Sequence, residues 1–227
     1  IFFKTLKLVK IKSPIILISS EKILKKQMKK FKFKKKIKVL NYKNFKNEKL
    51  DNKSINLINI EFNQKKVFEK ISKKSNKFIK DCFSVAFEIL AATKIYKLIN
   101  GPINKKYFLN NKFLGMTEYI SKKFSISNSC MLIYNKELSI CPITTHIPIK
   151  SVAKTLNKKM ISDKIILINN FYKQKFGFKP KIAILGLNPH CESIHKFNED
   201  EKIIKPVIKI LKKKYKISGP FSADTIF

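Results

Sequence analysis

The apolar positions along the chain alternate between two periods from one end to the other. Ile1, Phe2, Leu6 and Val9 share a helical face and predict a helix over residues 1–10. Ser13-Pro14 ends it, and the run Ile15–Ser19 predicts a strand. Ser20-Glu21 opens a lysine-rich helix to about Phe31, and Lys34–Leu40 and Ile55–Ile60 predict two strands around the polar loop Asn41–Ser54. Between Asn76 and Thr93, the residues Ile79, Phe83, Ala86, Phe87, Leu90 and Ala91 fall at helical spacing. A buried strand is predicted at Ile95–Ile99, leading into Asn100-Gly-Pro-Ile-Asn-Lys105.

The second half repeats the alternation. Phe113–Glu118 opens a helix with Thr117 as its cap, and Met131–Tyr134 with Glu137–Ile143 predicts a hairpin across Asn135-Lys136. Pro148 starts a helix to about Leu156, and Ser162 is read as the cap of another carrying Ile165, Ile166, Ile168 and Phe171. Ile182–Leu185, bounded by Gly186, predicts a buried strand. Asn198 with Glu199, Asp200 and Glu201 makes an acidic helix N-terminus suited to the helix dipole, with Lys212–Lys214 at the other pole. Pro206 is expected to kink that helix or delay its start. Strands alternating with helices imply an α/β chain with a largely parallel central sheet.

Composition changes this picture little. At 227 residues and 44% hydrophobic, the chain can bury a core and form one large or two small domains. The net charge is +35, yet all 50 basic residues are Lys. Nucleic-acid readers draw on the Arg fork for guanine and phosphate, so the charge points to A/T-rich coding rather than to DNA or RNA. The most nucleic-acid-like stretch is Lys22–Lys38, where lysines interleave with Phe31 and Phe33. An amphipathic helix followed by an edge strand with a lysine fringe accounts for it equally, and is the reading preferred. The excess charge is still a field that draws in anionic substrates.

Cys82, Cys130, Cys141 and Cys191 show no CxxC spacing and read as reduced, partly buried thiols of a cytoplasmic protein. No apolar run approaches the length of a membrane span. The chain opens on Ile within an amphipathic pattern and stops at Phe227, and is expected to be a fragment lacking both termini.

Candidate chemistry gathers at strand ends. Neither GxGxxG nor GxxxxGK[ST] occurs, and no GxSxG elbow is present. Of three histidines, His146 follows the strand-like Leu138–Ile143 in Thr144-Thr-His-Ile-Pro148, and His190 follows Ile182–Leu185 in Leu187-Asn-Pro-His190. In α/β sheets, ligands bind at the carboxyl ends of strands. Two neutral imidazoles there suit a divalent transition metal with a third protein ligand and an open position; hydrogen-bonded loop histidines are the alternative. His195 lies in a polar stretch and is read as exposed. Lys105, after Gly101-Pro102, either presents an amine to an anionic ligand or belongs to an ordinary turn. Asp224 is a lone carboxylate after a turn, a partner for a metal ligand or a cap.

Taken as an ordered set, these stretches resemble the 4-hydroxythreonine-4-phosphate dehydrogenases of vitamin B6 biosynthesis. The matching segments are Gly101-Pro-Ile-Asn-Lys105, Phe113-x-Gly-x-Thr-Glu118, Thr144-Thr-His-Ile-Pro148, Leu187-Asn-Pro-His190 and Gly219-Pro-x-x-Ala-Asp-Thr-x-Phe227. The resemblance implies a three-layer α/β/α fold of the isocitrate/isopropylmalate-dehydrogenase kind, two lobes around a largely parallel sheet, with residues 1–227 forming one incomplete catalytic unit. It implies a homodimer that uses NAD and a divalent metal (Zn, Mg or Co) held by three histidines. His146 and His190 match two of them; the third lies downstream of Phe227 in the family, so the chain as written is expected to be inactive. No residue is assigned to NAD. Thr117 and Met116 match the substrate-binding pair, where Met116 stands at a position usually His. Lys105 and Asp224 are the candidates for proton handling or anion contact.

The implied reaction is oxidation of 4-phosphohydroxy-L-threonine to a β-keto acid that decarboxylates to 3-amino-2-oxopropyl phosphate. One alternative is a dehydrogenase of a related four-carbon acid, threonate or erythronate 4-phosphate. The other, from a different class, is a lysine-rich nucleic-acid-binding protein, for which His146 and His190 would be irrelevant.

Overall fold

The computed structural model describes every residue except Phe45, Lys46, Lys94, Tyr96, Asn111, residues 193–196 and Phe227. His195 therefore lies outside the described residues. The chain divides into two compact units, Ile1–Asn110 and Asn111–Phe227.

The first unit is a layered sandwich. Helix α1 (Phe2–Leu8) precedes β1 (Ile16–Ser19), α2 (Glu21–Lys30), β2 (Ile37–Val39) and β3 (Ile55–Asn59), followed by α3 (Asn76–Ala92) and α4 (Lys105–Leu109). The sheet order is β1-β3-β2, all parallel, with Leu57 opposite both Leu17 and Val39. A central parallel strand is covered on both faces, and β3 is accordingly buried from Ile55 to Ile58. In β3 the side chains split by parity: Ile55 and Leu57 pack with Leu24, Phe33 and the partly buried Phe2, Phe3 and Leu6, while Ile58 packs with Leu40 and Ile89. Helices α1 and α2 thus supply one layer and α3 the other. Asn56, polar and buried within β3, donates from Nδ2 to the carbonyls of Ile15 and Asp51 at 3.1 and 2.8 Å. Ser20 caps α2 by accepting from the Ile23 N–H.

Two expectations change here. No strand forms among the described residues of 95–99, and Ile99 is 88% exposed. An apolar run specifies a strand only if an unpaired edge receives it, and β1-β3-β2 receives none. In Lys22–Lys38, Phe33 is buried in the core while Phe31 remains exposed and packs edge-on to Phe68 at 5.8 Å. The amphipathic reading holds for that stretch.

The second unit contains α5 (Met116–Lys123), α6 (Ile149–Thr155), α7 (Lys158–Phe176), β4 (Ile182–Leu185), α8 (Lys205–Leu211) and β5 (Ile217–Phe221). β4 and β5 pair in parallel, with a register shift between Ala183 and Leu185. Ile182 and Ile184 lie against a core of Leu156, Ile161, Ile165, Ile204, Val207 and Ile208, while the alternating Ala183 is exposed. β4 is therefore half-buried. Gly219 has φ 122°, and a Cβ there would come within 2.3 Å of the Ile184 carbonyl oxygen, so only glycine lets β5 approach β4.

The helix caps differ from expectation in two places. Gly115, not Thr117, precedes α5, and Asn157, not Ser162, caps α7, accepting from the Met160 N–H at 3.0 Å. A cap side chain must sit outside the helix to reach the free N–H groups; Thr117 and Ser162 both lie inside. The predicted hairpin is reduced to one antiparallel bridge, Ile133 with Ile140. Pro206 behaves as expected: residues Asp200–Ile204 form a widened turn, and α8 starts at Lys205 with the proline in its first turn.

Candidate active site

His190 stands at the tip of a braced turn. β4 ends at Leu185, and residues 187–188 lead into a short turn, Pro189–Cys191, in which His190 adopts φ 55° and ψ 14°. That left-handed conformation is uncommon outside glycine and holds only where surrounding contacts enforce it. Asp200 supplies them. Its fully buried carboxylate accepts from the Leu187 N–H at 2.9 Å, the Asn188 N–H at 3.0 Å and the Asn188 amide at 2.9 Å. Asn198 in turn accepts from the Asp200 N–H at 2.8 Å. Gly186 makes room for this: a Cβ there would lie 2.6 Å from Cys191 Sγ and 3.0 Å from Asp200 Oδ1. Burial, and then the nearby Asp200 charge, push the Cys191 thiol above its ordinary range.

Asp224 follows β5 and comes under the influence of His190. Its carboxyl sits below the usual range, first because the Ser222 hydroxyl donates to it, then through a backbone N–H, with His190 adding to the effect. These two residues, 34 positions apart in sequence, are brought together by the β4–β5 pairing.

His146 adopts the same backbone form, φ 58°, and is likewise exposed, but on a lighter support. Thr145 Oγ1 donates to Glu118 Oε1 at 3.4 Å. The other carboxylate oxygen, Glu118 Oε2, is buried and has no hydrogen-bond partner among the described residues. Gly115 holds open the space between them: a Cβ there would lie 2.8 Å from Glu118 Oε2 and 3.4 Å from His146 Nε2. Beside this turn is a cavity of about 240 Å³ whose polar lining includes Thr117, Glu118, Ser129, Thr144, Thr145 and Lys164. Hydroxyls around one ammonium and one carboxylate suit an anion that also carries hydroxyl or amino groups.

The sequence-predicted residues thus divide. Thr117 lines the cavity with Thr144 and Thr145; Met116 begins the same helix but is not among the lining residues. Asp224 accompanies His190. Lys105 belongs to the first unit, exposed at the start of α4, whose cap Asn104 accepts from the Tyr107 N–H at 3.1 Å. Among the described residues no group of three or more His, Cys, Asp or Glu side chains is placed to hold a metal. His146 and His190 are donors of the right kind, yet they do not by themselves make a complete site.

Glu118, Asp200 and Lys164 were not singled out from sequence. Glu118 had a usable signal, its place directly after Thr117 in the Phe113–Glu118 segment. Asp200 had none, because a carboxylate in Asn-Glu-Asp-Glu reads as a solvated helix start.

Residues 10–227 match the family model described as Pyridoxal phosphate biosynthetic protein PdxA. The chain is 41% identical over 135 residues to a 4-hydroxythreonine-4-phosphate dehydrogenase of Sulfurihydrogenibium sp. (strain YO3AOP1), covering 57% of this chain and 42% of that one. A namesake from Colwellia psychrerythraea is 29% identical over 181 residues, 77% of this chain and 55% of that one. The chain thus spans roughly half the length of these relatives. Among solved structures, the 4-hydroxythreonine-4-phosphate dehydrogenase of Klebsiella pneumoniae superposes with a TM-score of 0.80 at 20% identity, covering 99% of this chain and 72% of that one. The enzyme of that name from Burkholderia phymatum gives 0.79 at 21% identity, with 99% and 70% covered. The α/β/α fold is therefore shared with these enzymes, and the match over nearly the whole sequence places the chain in the family of pyridoxal phosphate biosynthetic protein PdxA.

Proposed function

We propose that the protein is a dehydrogenase that oxidises the secondary alcohol of 4-phosphohydroxy-L-threonine with NAD as hydride acceptor and with a divalent metal. The β-keto acid formed loses carbon dioxide to give 3-amino-2-oxopropyl phosphate, a step in making vitamin B6. A cytoplasmic homodimer is part of the same reading. The observation that carries it is the pair of histidine turns: His146 and His190 are both exposed, both in the left-handed conformation, in segments that match the family. A bound divalent metal would lower the pKa of the substrate alcohol and stabilise charge developing on its oxygen. His146 and His190 are the imidazoles this chain would offer, with a further ligand needed beyond Phe227.

The chain's own residues supply the rest. Thr117, Thr144 and Thr145 present hydroxyls, and Lys164 an ammonium, to an anionic substrate in the cavity, with the lysine-rich exterior steering anions toward it. In this reading Asp224, whose carboxyl is held below the usual range chiefly by Ser222, orients the His190 ring or accepts a proton there.

The test is NADH formation by the full-length protein with 4-phosphohydroxy-L-threonine and a divalent metal, beside His190→Ala. Metal-dependent turnover that is lost in the variant supports both the reaction and the role of His190. A folded, metal-loaded protein that turns over only threonate or erythronate 4-phosphate would replace this substrate, and Met116→His would then be the variant to restore it.

A further inference from the structure

A second cavity lies wholly within the first unit and shares no residue with the histidine turns. It has a volume of about 170 Å³ and gathers residues of α1 and of the segments that lead into β1, β2 and β3. Phe2, Leu6, Val9, Ile15, Leu17 and Ile55 give it apolar walls, and Lys35, Asn52 and Ser54 are its polar side chains. Phe2, Leu6 and Leu17 pack against the buried cluster that holds Ile55, so one wall is part of the core. Val9 and Ile15 stay 54% and 38% exposed, which leaves apolar surface at this cavity facing water.

The polar side chains differ in what they have to spare. Asn52 Nδ2 donates to the Ile11 carbonyl at 2.9 Å, and the Ser54 hydroxyl and N–H both donate to Asp51 Oδ1 at 2.9 and 2.8 Å. Lys35 is one of four half-buried lysines among the described residues, with Lys26, Lys38 and Lys164. Lys26 donates to the carbonyls of Gln64 and Lys65, Lys38 pairs with Glu48, and Lys164 donates to the Ser129 carbonyl. Lys35 alone of the four has no partner among the described residues, and no Asp or Glu lines the cavity. A half-buried ammonium among apolar side chains gains most from an anion that brings its own apolar body.

We infer that this cavity binds a small aliphatic monocarboxylate, its carboxylate on the Lys35 ammonium and its chain among Phe2, Leu6 and Leu17. A dry cavity of about 150 Å³ admits a molecule the size of benzene, so a body of about six carbons suits the space. No bond is made or broken. The site is independent of the dehydrogenase reading and stands or falls apart from it.

The experiment is ligand-observed NMR titration of the full-length protein with hexanoate at neutral pH, beside butyrate, acetate and the neutral hexanamide. Hexanoate is expected to bind, and each methylene removed should weaken binding about fourfold. Hexanamide should bind about tenfold more weakly, the worth of one charge-assisted hydrogen bond at a half-exposed site. Lys35→Met keeps the aliphatic stem and should bring hexanoate down to the level of hexanamide, while the exposed neighbour variant Lys34→Met keeps the native affinity. The inference is overturned if hexanoate does not bind, or if acetate binds as well, since the lysine-rich exterior alone would then be drawing anions. It is overturned equally if hexanamide matches hexanoate, or if Lys34→Met weakens binding as much as Lys35→Met. Should Lys35→Met fail to fold, the four ligands on the native chain decide by the first three of these outcomes.

Discussion

His146 and His190 share a backbone conformation, φ 58° and 55°, but the chain supports them by different means. Beneath the His190 turn is a fully buried carboxylate that accepts three hydrogen bonds, and a glycine that admits it. Beneath the His146 turn is one long bond from Thr145 to Glu118, a second carboxylate oxygen with no partner, and an adjoining cavity. The first turn is fixed before any ligand arrives. The second leaves polar capacity unspent, which is the state expected of a surface that completes its hydrogen bonds with a ligand.

The sharpest way to break this contrast is at Asp200. Replacing it by Ala takes the acceptor from the part-buried Leu187 and Asn188 N–H groups, and should cost about 2–4 kcal/mol in urea denaturation. A loss under about 1 kcal/mol would mean that the turn is not braced as described. Next in size is a pair of glycine substitutions. Gly186→Ala drives a methyl against Cys191 Sγ and the Cys191 backbone at 3.3 Å, and should cost about 1–3 kcal/mol. Gly115→Ala meets the end of a movable Glu118 side chain and should cost less than Gly186→Ala in the same measurement. Equal losses would remove the distinction between a filled and an open turn.

Thr145→Ala removes a single hydrogen bond and should change stability by no more than about 1 kcal/mol. The smallest effect is at Asp224. Its folded pKa is depressed, so the Ser222 contact is fully present above the ordinary carboxylate range and is lost as pH falls through the folded value. Carbon NMR of the side chain should show Asp224 titrating below a typical aspartate, and Ser222→Ala should move it upward; an unmoved midpoint would remove Ser222 as the cause.

Much of the fold was legible in the sequence because the signals were local. The run Ile55–Ile60 reads as a strand, and β3 forms at Ile55–Asn59; Ser20 before Glu21 reads as the opening of a helix, and Ser20 caps α2. What misled was anything that needed a partner. Residues 95–99 carry the composition of a strand, but no edge receives the described ones, and Ser162 is a good cap residue that happens to lie one turn inside a helix already capped by Asn157. At the site, both histidine turns were visible as motifs, although only His190 follows a strand, the segment before His146 forming a single bridge. The carboxylate that holds one of them was not, since Asp200 acts on residues 187–188 across a turn whose geometry the sequence does not state.

Helix α7 also limits how the gene can change. Its 19 residues span about 28 Å. Met160 and Lys164 reach the cavity, Ile161 and Ile165 the core, and Tyr172 and Phe176 the loop arm, where Phe176 stacks on Tyr134 at 5.4 Å. Each contact depends on rotational phase, and one residue inserted between Lys164 and Tyr172 would turn everything beyond it by about 100°. Substitutions along α7 can be absorbed one at a time, but insertions and deletions cannot. Length changes in this region are therefore confined to the loop tip near Asn135 and to the segment after Gly177.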